Sequence, residues 1–117
     1  MQVNSKSPIQ LEFLRGGGSI IASRLDFWSP TQTGWVLADS KLFQAVTKPI
    51  ERQNPKLAVG IYTVVFTCRV EESINGIYNF EMKVNSVSVG ADHGNVDTTS
   101  NPHDSKAYKN QFVLVVQ

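Results

Sequence analysis

The segment from Gly90 to Ser105 holds both histidines of the chain and three of its five aspartates. Asp92, Asn95 and Asp97 offer hard oxygen donors of the kind calcium takes, while His93, His103 and Asp104 add two ring nitrogens and a further carboxylate. The register of an EF-hand loop and its closing Glu are missing, however. The separation of His93 from His103 also lacks the i, i+4 spacing that sets two zinc-binding histidines on one helical face. Three readings stay open. The segment is a solvated loop whose Asp and Asn residues make Asx-turns, a ligand loop with calcium as its cofactor candidate, or a zinc or catalytic site using His93 and His103 with an Asp.

Trp28 and Trp35 flank a loop rich in Pro and Thr. Two indoles near a loop tip can stack on a sugar ring or anchor a protein interface, and they can equally cap a core. Cys68 is the only cysteine, which excludes an internal disulfide. It falls in register with Tyr62, Val64 and Phe66, so it reads as a buried structural thiol and not as a nucleophile.

Catalytic templates fail in turn. The chain has no G-x-S-x-G, no H-E-x-x-H and no G-x-x-x-x-G-K-[ST]. Gly16-Gly17-Gly18-Ser19 shares only its glycine content with a phosphate loop, because no Lys follows, and it reads as a hairpin turn. No catalytic residue and no enzymatic activity are expected. Eleven Lys+Arg against ten Asp+Glu leave a formal charge of +1, which attracts neither nucleic acid nor an anionic membrane over distance. Arg15, Arg24, Arg52 and Arg69 are scattered along the chain, so no basic stripe accompanies the aromatics.

The elements that must position these residues are strands. Val, Ile and Thr make up 28 of the 117 residues and Ala only six, a balance that favours pleated surfaces over helices. Residues 9–13 alternate apolar and polar, and a second strand runs from Ser19 to about Trp28. Residues 29–34 read as a turn-rich loop, and extended structure resumes over residues 35–38. Near residues 40–47 the pattern fits one short helix or an edge strand, and residues 49–55 read as a connection. Tyr62, Val64, Phe66, Cys68 and Val70 alternate with polar or smaller residues, and the alternation repeats at Tyr78, Phe80, Met82 and Val84. With Asn75-Gly76 between them, the two runs are expected to pair as an antiparallel hairpin, Glu71 and Glu72 lying in its turn. Asn85-Ser86 can turn the chain into a short strand over residues 87–89. A long polar loop over residues 90–110 and a closing strand over residues 111–116 follow.

Seven to eight short strands spaced this way predict an all-β, antiparallel two-sheet sandwich or jelly-roll. The sandwich takes residues 1–117 as a single domain, with residues 1–8 as a polar N-terminal extension. No signal peptide and no transmembrane run are visible, which favours a cytoplasmic or virion-associated setting. Two functions fit. The first is a structural or assembly module that makes protein–protein contacts and self-associates, because only 18% of residues are charged and the polar N-terminal segment can pair with a sheet edge or a neighbouring chain. The second is a carbohydrate-binding module, calcium-dependent or not, that uses the loop over residues 91–105 with help from Trp28 or Trp35.

Overall fold

The computed structural model describes residues 1–16, 20–72, 77–96 and 105–117. Its strands are β1 Gln2–Val3, β2 Leu11–Arg15, β3 Ile20–Thr31, β4 Gly34–Phe43, β5 Ile50–Gln53, β6 Gly60–Glu72, β7 Ile77–Val84, β8 Val87–Asn95 and β9 Lys106–Val116. They form a five-stranded sheet in the order β1-β9-β6-β3-β4 and a four-stranded sheet in the order β5-β2-β7-β8. The expected all-β two-sheet sandwich is therefore present, with nine strands among the described residues where seven or eight were expected. Every pairing is antiparallel except β1 with β9.

The alternating residues fill the space between the sheets. Tyr62, Val64, Phe66, Cys68 and Val70 from β6 face Tyr78, Phe80, Met82 and Val84 from β7, and all are buried. Phe66 and Phe80 meet edge-on with centroids 6.1 Å apart, and Phe13 touches both. Tight aromatic packing of this kind adds to the burial term of each ring.

Several expectations are corrected. The runs in β6 and β7 do not pair as a hairpin: β6 lies between β9 and β3, β7 between β2 and β8. Alternation states which side of a strand is buried and leaves its neighbour open, and the long connection can span the ~10 Å between stacked sheets. Glu71 and Glu72 continue β6 and do not sit in a turn. The helix or edge strand near residues 40–47 resolves as edge strand β4 to Phe43 followed by irregular chain, with no helix. Residues 50–53, read as connection, form edge strand β5 against β2, where polar Arg52 pairs with Glu12 on the solvent side. The loop of residues 29–34 shrinks to Gln32-Thr33, since β3 and β4 stay paired to Thr31↔Gly34.

The long polar loop is also shorter than expected, because β8 runs through Asn95 and β9 starts at Lys106. Gly90 and Gly94 looked like loop residues, yet each makes room for a ring. A Cβ at Gly90 would lie 2.6 Å from the Phe66 ring, and one at Gly94 would lie 3.1 Å from the Tyr78 hydroxyl. Residues 1–8 are not wholly polar in their packing either: Val3 is buried, and β1 pairs with the chain's own β9. Asn85 and Ser86, with φ of 46° and 67°, make the tight turn into β8 as expected. The hairpin turns assigned to residues 17–19 and 73–76 lie outside the described residues.

Candidate functional site

The residues nominated from sequence fall into two groups that the fold keeps apart. Asp92 and His93 are neighbours in β8 and therefore point to opposite faces of the four-stranded sheet. Asp92 turns toward the core, where its Oδ2 accepts a 2.9 Å hydrogen bond from the Tyr78 hydroxyl. Burial, reinforced by that carboxylate, pushes the Tyr78 phenol up to about 12. Burial likewise pushes the Cys68 thiol up to about 12; Arg15 opposes the shift and Asp92 adds to it. A thiol held protonated in this way is inert, as its register suggested.

His93 and Asn95 share the solvent-facing side of β8, opposite Asn79 and Ile77. Asp97, His103 and Asp104 lie outside the described residues. Among the described residues, no group of three or more His, Cys, Asp or Glu side chains stands together as a metal cage would require.

Trp28 and Trp35 belong to the other sheet and the other end of the sandwich. Trp28 registers with Thr63 on β6, whereas Asp92 acts on Cys68, five residues along the same strand and so roughly 17 Å away. Trp28 is half-buried at the rim, while Trp35 is 58% exposed. Trp28 follows the core-facing Phe27 and so points to the outer face of the five-stranded sheet, and the core-capping role fails for both tryptophans.

Trp35 is exposed because it lies on an arm. Past Trp28, β3 has no β6 partner, yet it stays paired with β4 through Ser29↔Val36, Pro30↔Trp35 and Thr31↔Gly34. The two strands leave the body as a ribbon closed by Gln32-Thr33, and the Thr31 hydroxyl ties the turn by donating to the Gly34 carbonyl at 2.9 Å. A Cα radius of gyration of 15.4 Å, against about 13 Å for a compact chain of this length, reflects such an extension. Trp35, Val36 and Leu37 expose 58%, 54% and 45% of their surfaces, so both faces of the ribbon are apolar.

The arm continues an apolar stripe on the outer face of the five-stranded sheet. Leu37, Trp28, Thr63 and Val113 stand in one register across β4, β3, β6 and β9. Ile61 pairs with Val115 one row further on, and Ile61 and Val113 are both more than half exposed. At the far end of the same face the character changes. Arg24, Arg69 and Lys109 rim a shallow depression of about 680 Å³ floored by the small side chains of Ala22, Thr67 and Ala107. The outer face of the four-stranded sheet mixes the Glu12–Arg52 and Glu81–Lys83 ion pairs with the exposed Ile50 and Ile77.

Sequence reasoning missed Val36, Leu37, Ile61 and Val113. The signal was the unbroken apolar run over residues 35–38, which has no alternation and so leaves apolar side chains on both faces of a strand. Reasoning from sequence also passed over Arg15. Its side chain is buried and donates from Nε to the Ile21 carbonyl (2.5 Å), from Nη1 to that of Lys48 (3.0 Å) and from Nη2 to that of Phe43 (2.8 Å). Nη2 also pairs with Glu51 at 2.5 Å, and Glu51 in turn accepts the Ala45 N–H. Four of its five N–H groups are taken by protein, so this cation is a structural bolt joining β2 to β3, β4 and β5.

Compared with known protein families, curated proteins and solved structures, the chain matches none.

Proposed function

We propose that this protein is a non-enzymatic assembly module that associates with copies of itself through the apolar arm and the adjoining stripe of the five-stranded sheet. One observation carries the reading: an apolar ribbon, exposed on both faces, that extends past the body of the sandwich. A ribbon of two strands is marginal by itself in water, and apolar side chains on both of its faces gain burial only from another molecule.

Carbohydrate binding has less support. Asp92 is engaged with Tyr78, His93 points away from it, and both tryptophans are remote from β8. Calcium remains a proposal on the same footing, since among the described residues no group of three or more His, Cys, Asp or Glu includes Asp92.

Sedimentation velocity from micromolar to several hundred micromolar tests the assembly reading. The weight-average mass of the wild type should rise with concentration, and a Trp35→Ser/Leu37→Ser variant should stay monomeric at every concentration. A wild type that remains monomeric throughout the range overturns self-association.

A further inference from the structure

We infer that the free edge of β4 pairs with the same edge of a second copy, antiparallel about a two-fold axis at Val36, so that two five-stranded sheets become one of ten. The inference rests on the assembly reading above and specifies its geometry.

A proline has no N–H to give, so the Pro30↔Trp35 pair cannot be one that exchanges both backbone hydrogen bonds. It is a non-hydrogen-bonded pair, and hydrogen-bonded and non-hydrogen-bonded pairs alternate along an antiparallel ladder. Val36 therefore spends its N–H and C=O on Ser29 of β3, while those of Trp35 and Leu37 point out from the sheet. Among the described residues, nothing outside β3 hydrogen-bonds to the backbone of residues 35–37.

The rest of the same edge is covered. Asp39 accepts the Lys56 N–H at 3.0 Å, the Gln53 side chain donates to the Leu42 carbonyl, and Arg15 donates to that of Phe43. A β-bulge between the Trp28 and Phe27 pairings separates this covered half from the bare one. The open stretch is thus short, and it lies on the arm.

Its chemistry is self-complementary. With Val36 of one copy opposite the partner's Val36, Trp35 and the partner's Leu37 become a hydrogen-bonded pair, and so do Leu37 and the partner's Trp35. Four outward-pointing donors and acceptors on each copy are then matched. On the outer face each indole packs against a leucine, and on the other face valine meets valine. No charged residue occurs between Asp26 and Asp39, so two copies can approach with no like charges opposed. The usual protections of an edge strand, Lys or Pro on the strand itself, are absent from residues 34–38.

The bare stretch is three residues long, so the pairing buries less than the ~800 Å² per partner of a standard interface.

The test uses full-length Val36→Lys and Val36→Glu variants, each checked by urea unfolding to retain wild-type stability. Each alone should associate at least about tenfold more weakly than wild type, because like charges then oppose each other at the axis. Mixing the two variants in equal amounts should restore the complex. A Val36→Cys variant, with Cys68 buried, should form a disulfide-linked dimer on mild oxidation, since directly opposed non-hydrogen-bonded residues sit within disulfide reach. Ser88→Cys on β8 is the exposed control and should not. Wild-type affinity in Val36→Lys, no rescue in the mixture, or equal cross-linking at positions 36 and 88 would each overturn edge pairing. A wild type that associates while indifferent to residue 36 removes this inference alone, and a wild type that never associates removes the assembly reading with it.

Discussion

Replacing Arg15 by Met keeps the length of the side chain and deletes its guanidinium. The carbonyls of Ile21 and Phe43 then lose a donor at buried positions, and each unsatisfied buried acceptor costs about 1–3 kcal/mol. The Lys48 carbonyl and the Glu51 carboxylate, partly buried, recover some hydration, and removing the cation also removes its own desolvation cost. The net loss should be roughly 3–5 kcal/mol, as for other buried ion pairs broken on one side. With a urea m-value of about 2 kcal/mol/M, that lowers the unfolding midpoint by about 2 M. Arg52→Met, which breaks the exposed pair with Glu12, is the control and should cost about 1 kcal/mol or less. In Arg15→Met/Glu51→Leu, part of the loss should return, because no carboxylate is left without its partner. An Arg15→Met midpoint within 0.5 M of wild type, taken as about 1 kcal/mol, would refute the view of Arg15 as the bolt between the sheets.

Phe80→Ala should cost roughly 3–5 kcal/mol in the same assay, since the ring packs against Phe13, Phe66, Tyr78 and Tyr108. Cys68 should resist a thiol reagent in native buffer and react fully in denaturant; rapid native labelling would contradict its burial. Stability should fall at alkaline pH. Both Cys68 and Tyr78 hold their protons more tightly in the folded state than in the unfolded one, so their contribution is complete below about pH 9. It is lost as pH rises through the folded values near 12. Unfolding midpoints at pH 8 and pH 10.5 check this, and Tyr78→Phe should show a shallower decline than wild type.

The face of each strand was legible in the sequence where alternation was strict. In β6 and β7 it named every buried residue correctly, because a period of two leaves one orientation when a core must be filled. The partner of each strand was not legible there, since nothing in alternation distinguishes a neighbour in the same sheet from one facing it across the core. Continued two residues past Phe13, the same pattern places Arg15 on the buried side of β2 in step with Leu11 and Phe13, but a charge followed by glycines ends the strand reading at residue 13. The extent of β8 was hidden by Gly90 and Gly94, whose missing side chains answer to rings distant in sequence. For the candidate site, Asp92 and His93 were adjacent on paper and are divided by the pleat, whereas the exposure of Trp35 depended on where β6 ends.

The arm and the body also differ in how far apart their pairing residues lie along the chain. β3 meets β4 through a two-residue turn, whereas β6 must find β3 about forty residues upstream and β9 about as far downstream. Closing such long loops is slow, on the order of milliseconds to seconds for folds of this class, whereas a local hairpin forms in about 1–10 μs. During synthesis or refolding, the apolar ribbon therefore forms, if only transiently, before the sandwich that carries it. Two nascent chains at high local concentration could meet ribbon to ribbon while their cores are still open, and refolding yield should then fall with protein concentration more steeply for the wild type than for Val36→Lys.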